Sequence, residues 1–420
     1  MISDGQRLRD QDIKVLLVGN YLNDNQESMR RFADVLDLQL TERGVRVERL
    51  LPPTVFGRFH RGGRGVGKWL GYVDKFVLFP SRLRKRVRGV GVGAIVHICD
   101  HSNAVYVRYL GGKAHLVTCH DLLAVRSALG EFSGHRTKAT GRFYQKQILH
   151  GLNSAGSVAC VSDATRRDLL RLSTLDADAV SVVQNGLNYP YAPMPGALVR
   201  ERLSRFDPGE KLKAGFILHI GGNQWYKNRI GVIQIYAQLC RKTAQPPCLL
   251  MVGKPFTTAM RRCVAANHLE DRVIELNAVS NEDLRTIYCA AQLLLFPSLA
   301  EGFGWPIVEA QACGCRVVTT NQPPMNDIGG NAAVYINLES PASTGDAVLS
   351  AVVLNDAAEA VLQLLRESSE AKRSRIERGL RNAAKFSTAK MVDDYVGLYQ
   401  KALALPVEAD RHAPALSLVH

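Results

Sequence analysis

Short apolar runs alternate with segments of helical periodicity along nearly the whole of this 420-residue chain. This alternation is typical of parallel β-sheets covered by helices, because a crossover between parallel strands needs a helix or an equally long connection. A chain of this length is also too long for one compact core. The sequence therefore predicts an α/β protein of two doubly wound, Rossmann-like domains that face each other across a cleft.

The apolar runs form two sets, separated by the proline-rich stretch 189–195, which is typical of a linker. The predicted strands are residues 15–18, 45–50, 94–98, 116–119, 158–161 and 180–183, then 216–220, 249–252, 273–276, 293–296, 317–319 and 333–336. Helices are predicted at residues 25–43, after Ser162, and at 228–241, 257–266, 281–290 and 306–313. The predicted division is a first domain at 1–190, a linker at 191–213, a second domain at 214–386, a final helix at 387–405 and a tail at 406–420.

Composition narrows the class of protein. No run of 18 or more apolar residues occurs and residues 1–14 are polar, so we expect a cytoplasmic protein without a spanning helix. Among nine cysteines the only close pair is Cys313 and Cys315, and no second pair stands at metal spacing. The acids Asp176 and Asp178 precede a predicted strand, which is the wrong edge for a ligand. We therefore expect no essential metal, no cofactor and no disulfide.

Positive charge is concentrated in one segment. The chain carries a formal net charge of +14, and residues 56–90 contain ten Lys or Arg residues against the single acid Asp74. Apolar residues of the segment recur roughly at helical spacing, namely Trp69, Leu70, Val73, Phe76, Val77 and Phe79. One interpretation is an amphipathic helix on an anionic membrane surface, and the other is a core-facing helix with a solvated basic face. Nucleic acid is not an expected partner, because basic and aromatic residues do not interleave.

The segment 296–309 carries the richest motif. A predicted strand ends at Pro297, a loop with Gly302 and Gly304 follows, and Pro306 suits the first turn of a helix. Free amides at such a helix start bind anions. Glu301 lies on the loop and Glu309 about one helical turn beyond it, so both carboxylates are candidates to accept hydrogen bonds from hydroxyls, including a vicinal diol such as a ribose. A dipole-stabilised acid is the structural alternative for Glu309.

The segment 216–229 repeats the order strand, glycine turn and helix. Lys227 and Arg229 stand at the predicted helix start, where cations oppose the helix dipole unless an anion binds between them. We expect Lys227 to contact a diphosphate beside the amides of the turn, at Gly221, Gly222 and Asn223. Two solvated surface cations are the alternative.

His120 follows the buried strand 116–119 in the first half of the chain. Histidines at strand ends are often hydrogen-bonded core residues. The end of a parallel strand also faces the predicted cleft, so His120 is a candidate for contact with a sugar or phosphate.

These three stretches resemble the family-4 retaining glycosyltransferases of the GT-B fold, and the resemblance covers nearly the whole chain. Residues 301–309 match that family's Glu-x7-Glu element, and 310–318, 161–169 and 184–186 match further landmarks. The resemblance implies that Glu301 contacts the donor sugar, Glu309 the ribose and Lys227 the diphosphate. It also implies that His120 lies beside the reacting sugar and that the final helix returns to the first, acceptor-side domain.

The same resemblance completes the expected donor site. Amides of Gly302, Phe303 and Gly304 are expected to hold sugar hydroxyls or phosphate, and backbone near Val279 is expected to contact the base. Two departures stand out: Gly222 occupies a position where the family commonly carries Arg, and residues 21–28 lack the glycines often found after the first strand. Diphosphate neutralisation is then expected to rest on Lys227 and Arg229.

The function that the resemblance implies is metal-independent, front-face transfer of a hexose-type sugar, with retention, from a UDP- or GDP-sugar. The acceptor is expected to be a glycan or lipid-linked glycan of polysaccharide biosynthesis, with the protein in the cytoplasm or peripheral on the inner membrane face. A nucleotide-sugar epimerase, a glycoside phosphorylase and a non-catalytic nucleotide-sugar-binding protein are the alternatives.

Overall fold

The computed structural model describes residues 13–404 except 25, 60–65, 92, 133, 136, 207–209 and 339–348. The predicted tail at 406–420 and the predicted first residue of the helix at 25 lie outside these residues. The described residues group into two compact units, of which the first holds residues up to Leu122, Ala139–Gln184 and those from Ala389 onward. The second unit holds Leu123–Lys138 and Asn185–Thr388.

A six-stranded parallel sheet forms the centre of the first unit, in the order β2-β1-β3-β4-β5-β6. Its strands are β1 Lys14–Val18, β2 Arg46–Leu50, β3 Ala94–Ile98, β4 His115–Cys119, β5 Val158–Cys160 and β6 Val180–Val182. Each predicted strand of the first half is present, with ends that differ by one residue at most. The central strand β3 is buried at every position, as expected for a sheet covered on both faces.

The helices of the first unit are α1 Glu27–Glu42, α2 Val66–Val73, α3 Phe79–Arg88, α5 Ala139–Asn153, α6 Asp163–Leu172 and, after the second unit, α15 Thr388–Ala404. Helix α6 begins as predicted after Ser162, whose side chain accepts a hydrogen bond from the Thr165 amide. Helix α15 is anchored in the first unit by buried polar contacts. His97 lies between Tyr399 and Thr118, with 2.7 Å from one ring nitrogen to each hydroxyl.

A second six-stranded parallel sheet forms the centre of the second unit, in the order β12-β11-β10-β7-β8-β9. Its strands are β7 Phe216–Gly221, β8 Cys248–Gly253, β9 Val273–Asn277, β10 Leu293–Phe296, β11 Arg316–Thr320 and β12 Val334–Ile336. The helices of the second unit are α4 Leu123–Ala128, α7 Gly196–Leu203, α8 Arg229–Lys242, α9 Thr258–Ala266, α10 Asn281–Ala290, α11 Trp305–Ala312, α12 Met325–Gly329, α13 Ala351–Leu365 and α14 Ser369–Ala383. Of these, α4 comes from the first half of the chain. The α/β class with two parallel sheets is confirmed.

Segment 123–138 groups with the second unit, whereas the sequence predicted a first domain that is continuous from residue 1 to residue 190. Aromatic packing explains the grouping. Phe132 is buried against Trp225, with ring centroids 4.8 Å apart, and His135 stacks on the same indole at 4.3 Å. Among the described helices, none is both long and apolar enough to cross a membrane.

Segment 66–88 is helical, as its apolar spacing indicated, but its apolar residues do not all share one environment. A π-helical turn at Asp74–Leu78 joins α2 to α3. Phe79 is fully buried, whereas Trp69 and Val77 are 67% and 61% exposed. The segment therefore combines a core-facing side with an exposed side that carries apolar as well as basic residues.

Candidate functional site

The strand order of the second sheet identifies a candidate ligand site at the carboxyl ends of β7 and β10. The chain enters this sheet at β7, runs outward through β8 and β9, and then returns to the other side of β7 at β10. In an open parallel sheet the crevice at the carboxyl ends of such diverging strands is where ligands bind. The loops after β7 and β10 are the two that carry Lys227 and Glu301.

Lys227 and Glu301 form an ion pair across this crevice. The ammonium nitrogen lies 2.7 Å from Oε1 and 2.8 Å from Oε2 of the carboxylate. Only 18% of the Lys227 side chain and 7% of the Glu301 side chain are exposed. Water therefore screens the pair weakly, and each charge is strongly felt by any ligand that enters the crevice.

Two further contacts fix the loops that carry this pair. The Leu299 amide donates to the Tyr226 carbonyl at 2.7 Å, and the Asn228 side-chain amide donates to the Pro297 carbonyl at 3.0 Å. Asn228 has a left-handed backbone, with φ of 51°, which asparagine tolerates better than most residues. The β7 and β10 loops are thus joined by the residues directly before and after Lys227, which is the preorganisation that a binding site needs.

Glu309 is held in place on helix α11. The helix begins after Gly304, whose φ of 101° is a conformation that glycine alone adopts without strain, and Pro306 lies in its first turn. Glu309 is 5% exposed, and its Oε2 accepts a hydrogen bond of 2.8 Å from the Tyr288 hydroxyl. Burial, reinforced by the charge of Glu309, raises the pKa of Tyr288 well above its ordinary value. The hydroxyl therefore stays protonated and acts as the hydrogen-bond donor to Glu309.

The remaining predicted donor-binding residues surround the same edge of the sheet. Gly221 ends β7, Gly222 and Asn223 follow it, and Val279 lies just beyond β9. Gly302 and Gly304 flank Phe303, whose side chain is 4% exposed and packs on Trp305 and Phe386 with centroids 6.0 and 5.7 Å apart. Its ring points into the protein, so only the backbone of Phe303 is available to a ligand.

Arg229, the predicted second phosphate-binding cation, lies at the start of α8 with its side chain buried. It is 4% exposed, its guanidinium donates to the Asn223 side chain and, at 2.7 Å, to the Lys254 carbonyl, and it lies over the Phe256 ring. Burial lowers its pKa, and the charge of Glu275 opposes that effect. One guanidinium nitrogen thus ties the loops after β7 and β8 together, while Nε and the other terminal nitrogen are buried without a hydrogen-bond partner among the described residues, which is consistent with a ligand contact.

His120 lies in the first unit, directly after β4. It is 4% exposed, its Nε2 lies 2.9 Å from the Cys99 carbonyl, and the ring edge packs on Phe32 with centroids 4.8 Å apart. Nδ1 is buried without a hydrogen-bond partner among the described residues. Burial lowers the pKa of His120, with Asp100 opposing, which favours the neutral imidazole. A buried, unsatisfied ring nitrogen is costly for structure alone and is consistent with a ligand contact.

Two further residues lie beside these candidates and were not predicted from the sequence. Tyr288 is 21 residues from the Glu309 that it contacts, and no spacing rule pairs them before the fold is known. The second is Gln224, which lies beside Gly222, the position that departs from the family pattern. A Cβ added at Gly222 would lie 2.4 Å from the side-chain oxygen of Gln224. The Gln224 amide thus fills space next to the position where the resemblance led us to expect an arginine. Within the described ranges no three His, Cys, Asp or Glu side chains are grouped as a metal site.

Two family models match the chain in succession. Residues 201–382 match the model described as Glycosyl transferases group 1, and residues 29–189 match Glycosyltransferase Family 4. The O-antigen chain mannosyltransferase B of Escherichia coli is 29% identical over 195 residues, which are 46% of this chain and 50% of that protein. The chain spans about half the length of the first curated relatives that it matches.

Solved structures show the same fold. The sucrose-phosphate synthase of Thermosynechococcus elongatus superimposes with a TM-score of 0.70 at 18% identity, over 93% of this chain and 99% of that one. The Anabaena HepE protein, solved in complex with UDP and glucose, gives a TM-score of 0.66 at 14% identity, over 93% and 100%. Together with the two family matches, which span most of the sequence, these findings show that the chain belongs to the group 1, family 4 glycosyltransferases of the GT-B fold.

Proposed function

We propose that this protein transfers a hexose-type sugar from a nucleoside diphosphate sugar to a glycan or lipid-linked glycan acceptor, with retention and without an essential metal. The observation that carries the proposal is the Lys227–Glu301 pair at the diverging strands β7 and β10. A cation suited to a diphosphate and a carboxylate suited to sugar hydroxyls stand there within hydrogen-bond distance of each other.

The residues suggest a division of roles. Glu309, held by Tyr288, is suited to accept hydrogen bonds from the ribose diol, while Glu301 orients the sugar. The bond from the sugar anomeric carbon to the diphosphate oxygen breaks, and Lys227 and the amides before α11 stabilise the charge that grows on the leaving group. The acceptor oxygen bonds to the anomeric carbon on the same face, and its proton passes to the departing phosphate oxygen.

Related proteins support the choice of substrates. The E. coli relative is an O-antigen chain mannosyltransferase, and HepE was solved with UDP and glucose. On this basis the proposed donor is a UDP- or GDP-hexose, and the proposed process is polysaccharide biosynthesis. A lipid-linked acceptor would place the reaction at the cytoplasmic face of a membrane.

A thermal-shift titration with UDP, GDP, ADP and CDP in EDTA tests the donor site first. A product nucleotide at about 100 times its dissociation constant stabilises the folded state by about 2.7 kcal/mol, enough for a shift of several degrees. One nucleotide that stabilises in EDTA supports the proposal. No shift with any of the four, or a shift that needs a divalent ion, contradicts it.

Turnover then separates the proposed reaction from its alternatives. Release of nucleoside diphosphate only in the presence of an acceptor supports transfer and argues against an epimerase, a phosphorylase or a nucleotide-binding protein without activity. Proton NMR of the product reports whether the anomeric configuration is retained. A trapped covalent adduct on Glu301 would overturn the front-face mechanism.

A further inference from the structure

The helical run formed by α2, the π turn and α3 is firmly attached to the first unit along one side. Leu83 and Val87 of α3 are buried in the core. Asp74, in the π turn, accepts hydrogen bonds from the Tyr21 hydroxyl at 2.9 Å and from the Gly57 amide at 2.9 Å. Asp74 is the single acid of residues 56–90, and these contacts place it inside the protein, away from the outer side of the run.

The outer side of the run exposes large apolar side chains and continues onto helix α5. Trp69 and Val77 are 67% and 61% exposed, and Phe143 on α5 is 66% exposed. A series of ring contacts joins the two helices: centroids lie 5.7 Å apart from Trp69 to Tyr72, 5.6 Å from Tyr72 to Phe76 and 5.7 Å from Phe76 to Tyr144. We call this two-helix region, with Trp69, Val77 and Phe143 at its surface, the aromatic face.

Basic side chains accompany the aromatic face. Val77, Lys85 and Arg88 are all exposed, and Lys85 and Arg88, three residues apart on α3, lie on the same side of that helix. Further exposed cations on the two helices are Arg82, Arg84, Arg142 and Lys146. Neither α3 nor α5 contains an Asp or Glu, so no acid on these helices offsets this charge.

We propose that the aromatic face docks on an anionic lipid bilayer, with Trp69, Val77 and Phe143 entering the headgroup region and the cations contacting lipid phosphates. Each cation near an anionic surface contributes about 1 kcal/mol, and Trp favours the membrane–water interface. A soluble polyanion offers the same charge complementarity but no apolar phase, so it leaves three exposed hydrophobic side chains unexplained. The bilayer accounts for both observations.

Co-sedimentation of the full chain with vesicles tests the docking. We expect binding to phosphatidylglycerol–phosphatidylcholine vesicles, weaker binding in high salt and little binding to pure phosphatidylcholine. The double variant Lys85→Glu/Arg88→Glu should bind at least about tenfold more weakly. Lys372→Glu/Arg373→Glu, which reverses two exposed charges on α14 of the second unit, is the matched control and should bind as the wild type does.

A second set of test and control variants examines the apolar side chains of the aromatic face. Trp69→Ser and Phe143→Ser should weaken binding, whereas Val352→Ser, which changes a side chain that is 69% exposed on α13, should not. Equal loss in test and control variants, or equal binding to neutral vesicles, would overturn the proposal. The vesicles contain neither donor nor acceptor, so the result does not depend on the proposed transfer reaction, and failure of that reaction leaves the docking test intact.

Discussion

Both carboxylate oxygens of Glu301 accept hydrogen bonds from the Lys227 ammonium, at 2.7 and 2.8 Å. The cation proposed to hold the diphosphate is therefore already neutralised by a protein carboxylate. A diphosphate that contacts Lys227 must share it with Glu301 or displace it, so part of the intrinsic affinity for the anion is lost to this internal competition.

Replacing Glu301 by Gln should separate binding from turnover. The variant removes the competing charge, so the affinity for the product nucleoside diphosphate should rise by about threefold to tenfold, or about 1 kcal/mol. Turnover should fall by at least about 100-fold, because the sugar loses the carboxylate that orients it. Isothermal titration calorimetry and a nucleotide-release assay measure the two effects.

Lys227→Met is the complementary variant. It removes a charge-assisted hydrogen bond to phosphate and should weaken nucleotide binding by about tenfold or more. The double variant Lys227→Met/Glu301→Gln keeps the net charge of the pair and should bind better than Lys227→Met alone, because Lys227→Met leaves the buried Glu301 carboxylate without its cation beside the anionic ligand. Weaker nucleotide binding by Glu301→Gln than by wild type would show that Glu301 does not compete for Lys227.

Tyr288→Phe should impair the donor site through Glu309. The variant removes a buried hydrogen bond of 2.8 Å to a carboxylate, which contributes about 1.5 to 3 kcal/mol to stability. Because the Glu309 carboxylate is then less firmly positioned, the KM for the nucleotide sugar should rise several-fold. Tyr236→Phe is the matched control, because that buried hydroxyl donates to the Pro247 carbonyl instead. It should lower stability without a change in KM, and equal KM values for both variants would contradict the role of Tyr288.

The sequence predicted the strands well because each of them is an apolar run between turn residues, and buried parallel strands need no partner-specific pattern. It also predicted that Glu301, Glu309 and Lys227 follow strand ends, since glycine turns before helices mark the carboxyl ends of such strands, and the structure brings Lys227 and Glu301 into contact. It missed Tyr288 because the contact with Glu309 joins separate helices, α10 and α11. Arg229 stays a predicted ligand contact, although its position at a helix start did not reveal that the side chain is buried, with two nitrogens that lack a hydrogen-bond partner among the described residues.

Buried histidines should make the protein sensitive to mild acid. Burial lowers the pKa of His97 and of His219 to about 3, and lowers the pKa of His115 and His120 as well. The unfolded chain takes up these protons near pH 6.5, so the stabilisation is fully present above that pH and is lost as the pH falls toward 3. At about pH 5, His97 and His219 together should lower the free energy of unfolding by about 4 kcal/mol relative to pH 7.

Urea unfolding at several pH values measures this loss. His97→Gln should flatten the dependence on pH below 6.5, because glutamine takes up no proton. The exposed His268 provides the control, and His268→Gln should leave the dependence unchanged. A stability that is constant between about pH 7 and pH 5 would contradict the argument.

Gly253→Ala should damage the donor site through backbone contact alone. Gly253 ends β8 beside Gly221 of β7 and has a φ of 141°, and a Cβ there would lie 2.1 Å from the Gly221 carbonyl oxygen. The substitution therefore adds a clash with backbone to the strain of a positive φ outside the αL region, which by itself costs about 1 to 3 kcal/mol. Gly111→Ala is the control for an ordinary positive φ, because its φ of 57° lies in the αL region, which costs about 1 kcal/mol, and no atom lies within 4 Å of the added carbon. We expect Gly253→Ala to lose at least about 2 kcal/mol more stability than Gly111→Ala and to weaken nucleotide binding, because relief of the clash moves the start of the turn that leads to Lys227. Equal effects of the two variants on stability and nucleotide affinity would show that β7 and β8 yield to the added methyl group without disturbing the site.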